Sequence, residues 1–166
     1  MNFRNKINDY KILLFKKENI LFLTISLIVF TLDRISKNKI LKDYNDQNYF
    51  INDFLNIDLV WNIGIGFGLL STDSTLLYNL VTILIGFVIV ILFNFLILSK
   101  NIDKLIYSII IGGALGNLYD RIIYKSVPDF IDLHYNNFHW FVFNVADIFI
   151  TLGIVALLIY GSIKES

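Results

Sequence analysis

From Ser74 to Ser99 the chain runs 26 residues without a charge. A helix crosses the hydrocarbon core of a bilayer with about 20 apolar residues, so this run exceeds what a span needs and has no polar face to turn toward water. At least one transmembrane helix follows, and the rest of the chain must be arranged around it. Composition agrees: 56% of the 166 residues are hydrophobic and only 17% charged, against about 25% charged in an ordinary soluble domain.

Three further apolar stretches are shorter, and a carboxylate bounds or interrupts each. Residues 19–32 reach span length only with Asp33 or Glu18 included; residues 105–119 end at Asp120, with Ile122, Ile123 and Tyr124 beyond; residues 141–163 contain Asp147 as their one charge. The reading is an all-α membrane protein, a four-transmembrane-helix bundle with spans at about 18–38, 74–98, 104–124 and 141–163 in one domain over 1–166. Basic Arg4, Lys6, Lys11, Lys16 and Lys17 precede the first span as they would in a signal peptide, but no small-residue cleavage site follows, so the segment is kept as a span.

With four spans, the N-terminal segment, the connection holding Lys100 and Lys104, and Lys164 share one face, with eight basic residues against six on the other. The positive-inside tendency makes that face, and both termini, cytoplasmic. The outer connections, about 39–73 and 125–140, are long. In the first, Leu55, Ile57, Leu59 and Trp61 alternate with Asn56, Asp58, Val60 and Asn62, the period of a half-buried strand. It is expected to pair with residues 48–54 in a small extracytoplasmic β-sheet, because a lone strand is unstable. The second mixes Phe130, Ile131, Leu133, Phe138 and Trp140 with polar residues and reads as a segment lying in the interface, with Tyr135 and Trp140 at headgroup level.

Because chain direction alternates between spans, Asp33, Asp120 and Asp147 all fall near the outer ends of their helices. A charge at mid-bilayer costs about 2.5–3.5 kcal/mol on insertion scales, so three together imply a packed polar site or an ion-pair cluster. Gly113, Asn117 and Asp120 share one face of span 3, beside a Gly112/Gly116 small-residue contact; Asn144, Asp147 and Thr151 share one face of span 4. Asp33 and Lys37, four residues apart, read first as a self-neutralising pair, and Asp120 with Arg121 as structural support.

Two carboxylates facing one water can share a proton, one acting as base and the other steadying the oxyanion. Other hydrolase recipes are poorly supplied: there is no cysteine, no HExxH and no GxSxG. His134 and His139 read as interfacial residues rather than a metal pair, and GIGFG at 64–68 as close packing rather than a phosphate loop. A net charge of zero leaves no footprint for nucleic acid. Asp147 is one candidate dyad member, and spacing leaves Asp120, Asp129 and Asp132 open as its partner. The alternative is a small transporter or proton-handling protein, but spans 2 and 4 offer few ionisable residues to continue a relay inward.

The motifs DRISK at 33–37, NIGIGFG at 62–68, GGALGNLYDR at 112–121, VPDF at 127–130 and FNVADIFI at 143–150 resemble those of the bacterial lipoprotein signal peptidases, or signal peptidase II. The resemblance covers nearly the whole chain, and the last three motifs carry its specificity. Gly66 stands where the family usually has alanine. The resemblance implies an aspartic endopeptidase of the bacterial cell membrane with four spans, a small outer sheet and an interfacial helix between spans 3 and 4. It implies Asp129 and Asp147 as the catalytic pair. Asn62, Gly64, Asn117, Asp120, Arg121 and Asn144 would be substrate-binding or dyad-supporting, and Asp33 and Lys37 structural or lipid-facing. Pro128 restricts Val127 to extended geometry ahead of Asp129. The implied substrate is a diacylglyceryl-modified prolipoprotein cut before its lipid-modified cysteine, with membrane lipids as the other partner, no metal or cofactor, and a monomer as the working unit.

Overall fold

The computed structural model describes residues 10–44, 48–64, 75–136 and 138–165. Four long helices and four strands follow in the order α1 (Lys17–Asp43), β1 (Tyr49–Asn52), β2 (Leu55–Asn62), α2 (Thr75–Leu98), α3 (Asn101–Ile123), β3 (Val127–Tyr135), β4 (Phe138–Phe143) and α4 (Val145–Glu165). Arg4, Lys6 and residues 65–68 of the glycine-rich motif lie outside the described residues.

α1, α2 and α4 are each long and apolar enough to cross a membrane. Their outward faces suit lipid: Leu76, Ile83 and Phe87 on α2 and Leu152 and Leu158 on α4 are all more than half exposed, a surface that water would not tolerate over such an area. α3 is different because it lies at the centre, packed against the other three helices. It buries Ser108, Gly112, Gly113, Gly116, Asp120 and Arg121, so its polar residues are enclosed by protein rather than by lipid.

Glycine sets that packing. A Cβ on Gly112 would come within 2.6 Å of the Ser26 carbonyl oxygen and Val29 Cβ of α1, and one on Gly113 within 2.7 Å of the Ala146 carbonyl oxygen of α4. The backbones meet as the small-residue spacing predicts. Ser26 adds a bond across the α1–α3 contact, its hydroxyl donating to the Ser108 carbonyl at 2.9 Å.

α3 ends with Tyr124 N–H donating to the Asp120 carbonyl at 2.7 Å and Lys125 in the left-handed region, φ 58°, a turn that closes a helix end and sends the chain off its axis. The chain enters a four-stranded antiparallel sheet ordered β1-β2-β3-β4. The alternation at 55–62 is a strand paired with β1, as expected. The expected interfacial helix is corrected: residues 127–135 and 138–143 are two strands paired antiparallel, and Asn136 after the first has φ 52°. The physical reason is the open edge of β2. From Ile131 to Tyr135 the segment alternates in period two, and pairing it with β2 satisfies backbone groups on β2 that a helix lying on lipid would leave unpaired. Register pairs Val60 with Asp129 and Asn62 with Val127, which carries Asn62 and Asp129 to the same end of the sheet.

Candidate active site

The two carboxylates arrive by different routes. Asp129 sits in the buried start of β3, behind Pro128, and is 2% exposed. Asp147 sits in the first turn of α4. Between them stands Asn144, the residue before α4. Its side-chain amide donates to Asp129 Oδ1 at 2.5 Å; its backbone N–H donates to Asp147 Oδ2 at 3.1 Å; its Oδ1 accepts from the Asp147 N–H at 3.1 Å. The last two bonds form a capping box, in which the first residue and the one three later satisfy each other's free N–H groups. A single residue therefore follows β4, starts α4 and ties both carboxylates together, Asp129 through its side chain and Asp147 through its backbone N–H.

Each carboxylate has a second asparagine. Asn62 Nδ2 donates to Asp129 Oδ2 at 2.8 Å, and Asn117 Nδ2 donates to Asp147 Oδ1 at 2.8 Å. Asn62 is itself held, its Oδ1 accepting the Gly64 N–H at 2.8 Å. The Gly64 carbonyl accepts from the Arg121 guanidinium, which lies over the Tyr78 ring. Thus Arg121 and Gly64 do not touch either carboxylate; they hold the residue that does. Burial, and then the charge of Asp147, push the Asp129 carboxyl up to about 7, against smaller opposing effects from Asn62, Asn144 and Lys37.

Behind Asp147 lies a buried ionic layer. Lys37 Nζ donates to Asn117 Oδ1 at 2.8 Å and to Asp120 Oδ2 at 2.7 Å, and pairs with Asp33 Oδ2 at 2.9 Å. Asp33 Oδ1 in turn accepts the Ala146 N–H of α4 at 3.0 Å. Lys37 and Asp33 are both 0% exposed, so the lipid-facing reading is corrected: they point inward, because a charge in lipid has no partner whereas here each has several. Nor is the pair self-contained, since it joins α1 to α3 and α4. Arg34, counted in the sequence only as an outer basic charge, belongs here too, with Nη1 2.7 Å from Asp120 Oδ1 and its guanidinium 4.8 Å from the Tyr119 ring centroid.

The three carboxylates that spacing left open as partners to Asp147 differ in their bonds. Asp120 is committed to Lys37 and Arg34. Asp132, further along β3, is committed to His139 and Asn56. Asp129 is the one that shares Asn144 with Asp147. Beside Asp147 opens an apolar groove of about 480 Å³, lined among others by Leu133, Trp140, Phe143, Ile148 and Leu152, which suits a hydrophobic segment brought against the carboxylates.

Residues 25–163 match the sequence model of a family described as signal peptidase (SPase) II. The chain is similar to the lipoprotein signal peptidase of Pelagibacter ubique, with 48% identity over 93% of this chain and 91% of the relative. It is also similar to that of Anaplasma phagocytophilum, with 37% identity over 90% and 97% respectively. A solved bacterial membrane enzyme, determined by the in meso method at 2.3 Å resolution, superposes with a TM-score of 0.69 and 28% identity over 88% of this chain and 90% of that one. The chain belongs to the signal peptidase II family.

Proposed function

We propose that the protein is an intramembrane aspartic endopeptidase that removes the signal peptide from diacylglyceryl-modified prolipoproteins, cutting before the lipid-modified cysteine. The observation that carries this reading is the shared Asn144, bonded at once to Asp129 and Asp147. The lipoprotein signal peptidases that the chain resembles supply the substrate class.

In this mechanism Asp129 holds the shared proton near neutral pH, consistent with its rise to about 7. Asp147, with donors on both oxygens and at the N-terminal end of α4, is suited to carry the negative charge. Asp147 takes a proton from a water molecule as the water oxygen attacks the scissile carbonyl carbon. Asp129 gives its proton to the carbonyl oxygen, so that no full oxyanion forms. Collapse of the tetrahedral intermediate returns a proton to Asp129, and the proton on Asp147 passes to the departing amine nitrogen. The Lys37 layer acts through Asn117, which accepts from Lys37 and donates to Asp147, and thereby fixes the orientation of that amide.

The four helices α1 to α4 act as four spans, with both termini cytoplasmic and the sheet on the extracytoplasmic face. The apolar groove beside Asp147 receives substrate from the lipid, and a single copy carries the whole site. The test is processing of a tagged, diacylglyceryl-modified precursor by Asp129→Asn and Asp147→Asn. Each is expected to lose about 10²–10⁴-fold in rate while folding normally; near-normal processing by either stable variant rejects the dyad.

A further inference from the structure

The outer sheet carries a second polar cluster, away from the Asn144-linked carboxylates. His134 and His139 face each other directly across the β3–β4 ladder, their rings nearly parallel at 21° with centroids 5.2 Å apart. Asp132 lies two residues before His134, on the same face of β3. Its side chain is only 5% exposed; Oδ2 is 2.9 Å from His139 Nδ1 and 4.0 Å from His134 Nδ1. Asn56 from β2 donates to the same carboxylate at 3.2 Å.

An ordinary Asp–His ion pair accounts for His139 and Asp132 but leaves His134 unexplained. The His134 side chain is 9% exposed, and its Nδ1 is buried without a hydrogen-bond partner among the described residues. An unsatisfied buried ring nitrogen costs about 1–3 kcal/mol, and it points at a carboxylate that already has a second imidazole beside it. One candidate ligand atom from each of the three residues can be chosen so that all lie within 4.8 Å of one another.

We propose that Asp132, His134 and His139 form a divalent transition-metal site for Zn²⁺ on the outer sheet. Two imidazoles and one carboxylate, with no thiolate, suit Zn²⁺ and not Ca²⁺ or Mg²⁺, which take oxygen ligands. Bond lengths of about 2.0–2.2 Å in a tetrahedral site put neighbouring ligand atoms about 3.3 Å apart, between the 2.9 and 4.0 Å separations of the two histidines from Asp132. Asn56 would hold Oδ2 of the carboxylate in place by its hydrogen bond, as outer partners of metal ligands do. His139, 56% exposed on its side chain, gives the ion a path in and leaves the fourth position to water. The metal has no part in the cleavage chemistry. It clamps β4 to β3 where the register shifts between Asp132 and His134, and because His134 also lines the groove that reaches Asp147, it stiffens one wall of that groove.

The experiment uses the tag-free, full-length protein in detergent, stripped with chelator and titrated with Zn²⁺ calorimetrically and with Co²⁺ by its visible absorption. Expected are one ion per chain and the absorption of a four-coordinate Co²⁺. His134→Ala and His139→Gln should bind at least about tenfold more weakly, with metal-free thermal midpoints matching the parent. Should His134→Ala fail to fold, the half-exposed His139 carries the test alone. Absence of stoichiometric binding, or binding undiminished in His139→Gln, overturns the proposal.

Discussion

Asn144 and Asp147 cap each other at the start of α4, and the same Asn144 reaches back 15 residues to hold Asp129 at 2.5 Å. Loss of the cap costs about 1 kcal/mol of helix stability, whereas loss of the link to Asp129 removes the group that fixes one carboxylate against the other. Asn144→Ala is therefore expected to lower kcat by at least about tenfold, with only a few degrees off the thermal midpoint. Asn144→Asp keeps an acceptor for the Asp147 N–H but cannot donate when ionised, and adds a third carboxyl group to the site. Position 144 is fully buried, so the added carboxyl should recover neither the activity nor the midpoint. Full activity in both variants would mean that Asn144 serves only as a cap.

The Asp129 carboxyl, pushed from an ordinary 3.8 up to about 7 by burial and by Asp147, makes two linked predictions. Above pH 7 Asp129 loses the proton that the mechanism assigns to it, so kcat/KM should fall by about tenfold per pH unit on the alkaline side. For stability the folded value lies above the unfolded one: between 3.8 and 7 the unfolded chain has released a proton that the folded chain retains. The contribution is fully present below 3.8 and is lost as pH rises through 7. Asp129→Asn should flatten the slope of stability between pH 4 and 7. A flat alkaline limb in the parent would assign the proton elsewhere.

Three helices long and apolar enough to cross a membrane were legible because lipid requires continuous apolar runs, and α2 at Thr75–Leu98 falls almost where the charge-free stretch lies. The ends of the helices were less legible. α1 continues to Asp43, past the expected 38, because Asp33 and Lys37 are neutralised inside the bundle and do not interrupt the helix. Phe141 and Phe143, read as the start of the fourth span, belong to β4, and the helix waits for its cap at Asn144. The hairpin at 127–143 was missed because a short mixture of aromatic and polar residues fits an interfacial helix as well as a strand until the open edge of β2 is known. The proposed partnership of Asp129 with Asp147 involves residues on different elements, bonded through Asn144, that no spacing within one element reveals, so it came from the family resemblance. Arg34 was passed over because its role depends on Asp120, on another helix.

Lys37 is fully buried among Asp33, Asp120 and Asn117. Replacing it with methionine leaves two buried carboxylates with only Arg34 nearby, a loss of about 3–5 kcal/mol for breaking a buried pair. Lys37→Met should unfold at markedly lower denaturant in detergent, and Asp120→Asn added to it should recover part of the loss. A double-mutant cycle measures that recovery, and purely additive effects would show that the ionic layer does not act as a unit.

Gly116 and Gly86 are both helical glycines in apolar segments, yet their surroundings differ. A Cβ on Gly116 would collide with the Asp33 carboxylate, whereas one on Gly86 meets nothing within 4 Å. Gly116→Ala must displace Asp33, which also accepts the Ala146 N–H at the start of α4, and overpacking of this kind costs about 1–3 kcal/mol. Since α4 carries Asp147, kcat should fall along with stability. Gly86→Ala should be neutral, or stabilising by up to about 1 kcal/mol through helix propensity. Parallel measurement of thermal midpoint and precursor processing decides the matter. Equal behaviour of the two variants would mean that α1 and α3 can separate without disturbing the start of α4, and that the close approach at Gly116 does not position the site.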